Sequence, residues 1–154
     1  MSFLNIGDTI SGQEGRAYAT IGGQVEEMFY VKSLEATVEK NKTEGKTLGK
    51  RGTQHKANGW TGTGSMTIYY VTSRYRQLML DYIKTGKDTY FDITIVNEDE
   101  GSSIGKQTTV LRGVNLDSVI MAKIDTESEI LEEDADFTFD DVDILDQFIA
   151  PTLG

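Results

Sequence analysis

The residues best placed by type to do chemistry lie in the stretch 40–64, KNKTEGKTLGKRGTQHKANGWTGTG. Gly45, Lys46 and Thr47 read like the end of a phosphate loop, whose glycine-rich turn presents backbone N–H groups to phosphate oxygens. Such a loop needs another glycine five residues before Gly45, and that position is Lys40. No apolar strand runs directly into the segment and no helix follows it, so a plain flexible loop is the better reading. His55 is the single histidine. Metal clusters built on histidine are therefore out of reach, and a Ser-His-Asp site would rest on a loop imidazole beside Lys56; an exposed bystander fits better. The chain has no cysteine, which excludes thiol nucleophiles, zinc-thiolate sites and disulfides.

The remaining candidates fail on spacing. In DADFTFDDVDILD a calcium loop would need a third ligand two residues beyond Asp136 and then a glycine, but Thr138 and Phe139 stand there. No carboxylate pair is marked out for hydrolysis from a solvated acidic face. Asn41-Lys42-Thr43 fits a glycosylation sequon, which matters only in a secreted chain, and MSFLNIGDTISG lacks the charged lead and apolar run of a signal peptide. The expectation is a protein with no catalytic residue, no metal and no cofactor, made in the cytoplasm and without membrane anchoring.

With 154 residues and ordinary charged content, the chain has the length of one domain, 1–154, able to bury one core. Its net charge of −10 is unevenly placed. Residues 124–154 carry 11 acidic and no basic side chains, whereas residues 40–56 hold six basic residues against the single Glu44. An acidic protein repels nucleic acid as a whole while a local basic patch still attracts it, so the separated poles speak to partners. The basic stretch lacks both the interleaved aromatics of a single-strand binder and the recognition helix of a duplex reader. Trp60 reads as an aromatic closing over the core at the end of the segment.

The elements that must position these residues are mostly strands. GRAYATIGGQVEEMFYV reads as a hairpin about Gly22-Gly23, its second strand continuing through the alternation of Leu34, Ala36 and Val38. After Lys40 the alternation fades, and residues 40–61 read as a long loop, functional or disordered. Alternation resumes at TGTGSMTIYYV. SRYRQLMLDYIKTG is the one clear helix: Ser73 is a natural N-cap, Gly86 suits the left-handed C-terminal position, and Tyr75, Leu78, Met79, Tyr82 and Ile83 form a stripe that should pack on a sheet. TYFDITIV, QTTVLRGVNL and SVIMAKI read as further strands. In LEEDADFTFDD, Leu131, Ala135, Phe137 and Phe139 share one strand face, and Glu132, Asp134, Asp136 and Asp140 form a carboxylate ladder on the other.

Taken together, ISGQEGRAYATIGG, VEKNKTEGKTLGKRGTQHK, GTGSMTIYYVTSRYRQLMLDYIKTGKDTYFDI and LRGVNLDSVIMAKIDTESEILEEDADFTFDDVDI resemble the tail tube proteins of contractile phages and phage-like particles, most of all the defective-prophage type of Gram-positive bacteria. The resemblance covers about residues 10–151 and is a pattern of segments, without a catalytic signature. It implies a mainly β fold, a β-sandwich or open barrel with one flanking helix and a long extended loop, related to the tubes of type VI secretion systems. It implies hexameric rings stacked into a tube whose partners are further copies of the chain, a contractile sheath, baseplate and tape-measure proteins, with DNA as transient channel cargo.

In that family the long loop reaches a neighbouring subunit, and this role carries over to an assembly arm at about 40–60. Lys42, Lys46, Lys50, Arg51 and Lys56 are then expected to meet carboxylates of an adjacent copy. The ladder has two readings, as the acidic partner of that arm or as the lining of the channel. The rival to the tube reading is a monomeric binding module whose basic arm orders on an acidic or nucleic-acid partner.

Overall fold

The computed structural model describes residues 3–151 and 153. A short 3-10 turn, Ile6–Asp8, precedes eight strands and one helix: β1 (Gly15–Ile21), β2 (Gln24–Glu27), β3 (Val31–Gly45), β4 (Gln54–Tyr69), α1 (Arg74–Thr85), β5 (Phe91–Glu98), β6 (Lys106–Leu116), β7 (Glu132–Phe139) and β8 (Asp141–Asp146). The fold is mainly β and every pairing is antiparallel. The strands follow the order β2-β1-β5-β6-β7-β4-β3, with β8 also on β6.

The sheet turns a corner at β6. Its residues Thr108–Arg112 pair with β8, while Asn115 and Leu116 pair with β7. Because β7 and β8 are separated by Asp140 alone, both paired runs bend together at one place. Gly113 there has φ 67°, and a side chain on it would collide with the Asp140 carboxylate. The Asp140 N–H donates to Arg112 O at 3.0 Å, holding the bend closed. Strands that change sheets through such a bend make the corners of a barrel-like sandwich. The two halves enclose one core of alternating inward residues: Ala17, Ala19 and Ile21 from β1, Met66 and Ile68 from β4, Phe91 and Ile93 from β5, Leu111 and Val114 from β6, and Ala135, Phe137 and Phe139 from β7.

The Gly22-Gly23 hairpin forms as expected, with φ of 60° and 82° and Ile21 opposite Gln24. Its second strand does not continue into β3. The chain turns at residues 28–30, where Met28 and Tyr30 drop into the core and Phe29 stays 80% exposed, and so passes from one half of the sheet to the other. Helix α1 starts at Ser73, but the Ser73 side chain makes no capping bond; Thr72 Oγ1 accepts from the Arg74 N–H instead. Gly86 closes the helix in the left-handed conformation, its N–H donating to Tyr82 O at 2.8 Å. Tyr75 is fully buried, whereas Tyr82 and Ile83 at the far end of the stripe are about half exposed.

Two expected elements differ. Residues 40–61 are not a loop: β3 and β4 stay paired from Val31↔Ile68 out to Gly45↔Gln54, and the unpaired tip is residues 46–53. Both faces of this outer ribbon meet solvent, so burial imposes no alternation for the sequence to show. Residues 118–124 form no strand, since β7 already has β4 on one side and β6 on the other.

Gly62 and Gly64 of β4 lie opposite Phe139 and Phe137 of β7, and each ring covers its glycine so closely that a Cβ would penetrate it. Phe137 is fully buried and has nowhere to move. Gly64→Ala is expected to lower the unfolding free energy by about 1–3 kcal/mol, the usual cost of overpacking, read from urea denaturation.

Candidate subunit-interface surfaces

The arm is built by the two longest strands. On β4 only Gly62 to Tyr69 pair with β7, so beyond Trp60 the β3–β4 hairpin has neither a third strand nor a core. Trp60 marks the boundary, 41% exposed, its ring centroid 6.2 Å from that of Phe139. Just outside it a bulge sets Asn58 and Gly59 against Asn41, with Gly59 at φ 101°. Such a bulge increases the local twist and turns the ribbon away from the sheet.

Lys42 and Lys56 stand on the ribbon, opposite Ala57 and Thr43; Lys46, Lys50 and Arg51 belong to the tip. All five are exposed, and none forms an ion pair among the described residues. The tip is closed by Gly49 at φ 86° and by Gln54 Nε2 donating to Thr47 Oγ1 at 3.2 Å. Leu48 projects from it with no cover at all. Gly45, Lys46 and Thr47 therefore occupy the end of a β-ribbon, without the following helix a phosphate loop requires. His55 faces Glu44 across the ribbon, exposed and far from any catalytic arrangement.

The carboxylate ladder lies on the solvent side of β7. Glu132 accepts from Lys32 Nζ at 2.8 Å, and this hydrogen bond and the negative charge raise the Lys32 ammonium above its ordinary range. Asp134 accepts from Thr67 Oγ1 at 2.6 Å. Asp136 sits opposite Ser65 and borders a groove with Glu35, Thr63 and Asp117. The fourth predicted member, Asp140, lies past the end of β7 at the corner over Gly113, and Thr138 takes the place before it. Alongside β7 the same face continues through Thr63, Ser65 and Thr67 of β4 and Ser33, Glu35 and Thr37 of β3, a wall of hydroxyls and carboxylates. Among the described residues no group of three metal-ligating side chains comes together.

One charged residue was hidden from the sequence reading. Glu133 points inward between Leu131 and Ala135, 2% exposed, and pairs at 2.6 Å with Arg76 of α1. The Arg76 guanidinium lies 4.3 Å from the Tyr70 ring centre and donates to Thr72 O and to Ile120 O. It thus ties helix, β7 and the irregular segment 117–131 together. A glutamate at an apolar parity was the available signal, and it was masked by the carboxylates on either side. Beside this pair, burial pushes the Tyr75 hydroxyl far up, and Tyr75 shares a 2.9 Å hydrogen bond with Tyr30.

Large apolar side chains also lie bare: Ile6, Val25, Phe29, Leu48, Ile124 and Ile149 are each exposed by two thirds or more.

The fold is a bent antiparallel sheet with one helix and a projecting two-stranded ribbon. The chain belongs to the family described as phage tail tube protein, which matches residues 2–146. The phage-like element PBSX protein XkdM of Bacillus subtilis (strain 168) is 46% identical over 141 residues, covering 92% of this chain and 93% of the relative. The fold is similar to that in the tube-terminating cap of the anti-feeding prophage, with a TM-score of 0.68 at 14% identity over 92% of this chain and 94% of that one. It is also similar to a chain in the sheath–tube complex of an extracellular contractile injection system in its extended state, with a TM-score of 0.63 at 14% identity, covering 87% and 89% of the two chains.

Replacing Arg76 by Met leaves Glu133 buried without a partner and is expected to cost about 3–5 kcal/mol in urea denaturation. Adding Glu133→Gln to that variant should recover most of the loss, because the uncompensated charge is gone.

Proposed function

We propose that the chain forms the inner tube of a contractile tail, as a single tube domain with an assembly arm at about 40–60. Six copies close a ring, rings stack, and the bore carries DNA or effector proteins. The observation that carries this reading is the outer β3–β4 ribbon, which runs out beyond its own core with its cations unpaired. A two-stranded ribbon is marginally stable alone in water, so a neighbouring subunit that covers it supplies the missing burial. The open edge of β3, exposed along most of its 15 residues, offers a second place for a neighbour to add strands.

In this tube Lys42, Lys46, Lys50, Arg51 and Lys56 belong to the contact between copies, where charge sets register while apolar burial holds. Glu132, Asp134 and Asp136 line the bore. Their face of β3, β4 and β7 carries hydroxyls and carboxylates at every outward position from Ser33 to Thr37, Thr63 to Thr67 and Glu132 to Thr138, which suits standing water better than a dry interface. A negative wall also keeps the DNA backbone from sticking as it passes. A sheath outside, a baseplate and a tape-measure protein complete the particle, which is assembled in the host cytoplasm. The chains of similar fold in a tube-terminating cap and in the sheath–tube complex of a contractile injection system support this setting.

Negative-stain electron microscopy of the concentrated protein tests the reading, with hollow tubes expected; a monomer at every concentration would favour a binding module with a basic arm. Lys50→Glu with Arg51→Glu is expected to impair polymerisation while leaving the circular dichroism of the monomer unchanged. Normal tubes from that double variant would remove the arm from the interface.

A further inference from the structure

On the tube reading above, the arm tip needs an acceptor surface on a neighbouring copy. Leu48 is wholly uncovered at the tip, flanked by Lys46, Lys50 and Arg51. At the other end of the molecule lies an apolar surface of opposite charge. Ile124 is 91% and Ile130 63% exposed, with Asp125, Glu127 and Glu129 between them, all exposed and in no ion pair among the described residues.

The topology fixes where these two surfaces sit. The tip adjoins Gln54, the first residue of β4, whereas the Tyr70 N–H, just past the last residue of β4, donates to Leu131 O at 3.0 Å. The tip and the Leu131 end of the segment therefore lie at opposite ends of a 16-residue strand, whose contour is roughly 50 Å at the rise of an extended chain. They cannot meet within one copy. Between copies placed head to tail they meet directly, which is the heterologous arrangement that propagates without closing.

The segment is also held in shape. Arg76 donates to Ile120 O at 3.3 Å, Lys123 Nζ to Glu132 O at 2.6 Å, and the Asp117 N–H to Asp136 O at 2.8 Å. Its one cation, Lys123, is thereby folded back onto β7, and the Asp125 carboxylate accepts the Glu127 N–H while remaining exposed. Val71 and Phe29, 67% and 80% exposed, follow or flank residues paired at the same end of β4. We propose that Leu48 of one copy seats against Ile124 and Ile130 of the next, with Lys46, Lys50 and Arg51 facing Asp125, Glu127 and Glu129.

Because the chain has no cysteine, Leu48→Cys with Ile130→Cys in one polypeptide gives a clean reporter. Oxidised tubes of this variant should run as a ladder of multimers on a non-reducing gel, while either single variant should not. As a second measure, Glu127→Lys with Glu129→Lys should raise the concentration needed for assembly by roughly tenfold or more. Combining that pair with Lys50→Glu and Arg51→Glu should restore assembly. Normal tubes from the Glu127 and Glu129 variant, or intact tubes that lose only sheath binding, would overturn this docking and leave the tube reading standing. A wild-type chain that never polymerises would remove both.

Discussion

The whole molecule turns on the corner at Gly113 and Asp140. One strand can serve two sheet halves only if it bends without breaking its hydrogen-bond ladder, and here both partners bend at the same place. The positive φ of Gly113 permits the turn, the Asp140 carboxylate fills the space where a side chain would stand, and the Asp140 N–H keeps the two runs joined. Once β7 has been carried over the core, it can pair with β4 and place Phe137 and Phe139 above Gly64 and Gly62. The direction of β4, and with it the direction in which the arm leaves the body, follows from that pairing.

What the corner encloses is smaller than what the chain extends. Apolar packing stops near Trp60, yet the ribbon continues to Gly45 and Gln54. Backbone hydrogen bonds between the two strands keep the ribbon in register, but they do not stiffen it against bending. The lysines add nothing to the stability of the single copy, since they have no internal partner. Their cost is also small while they stay hydrated. A ribbon of this kind costs the single copy little, and any packing beyond its own backbone pairing has to come from a surface outside it.

How much of this the sequence could disclose depended on burial. Where one face is buried, alternation is visible: β7 with Ala135, Phe137 and Phe139, β4 with Met66 and Ile68, and the turn at Gly22-Gly23 were all legible. Where both faces are wet, as from Lys42 to Gly45, strand and loop look alike. Residues 118–124 carry β-prone side chains, but pairing depends on which strand edges remain free, and that is a property of the whole sheet. Tyr82 and Ile83 share the helical stripe of Tyr75 but stay half exposed, a difference that periodicity along one helix does not show. Glu133 was missed because a buried carboxylate is recognised by its partner, and Arg76 lies 57 residues away in the chain. The resemblance to tail tube proteins supplied the family.

The glycines under the two phenylalanine rings have a consequence for how this sheet can vary through descent. A ring at 137 and the bare backbone at 64 together fill one volume, as do those at 139 and 62. Neither partner can grow unless the other shrinks, so the pair behaves as a single heritable character rather than as two independent positions. Descendants of this chain can exchange ring-over-glycine for a smaller residue over alanine only by passing through an intermediate that is either hollow or overfull, and such couplings keep parts of a protein unchanged while its surfaces drift.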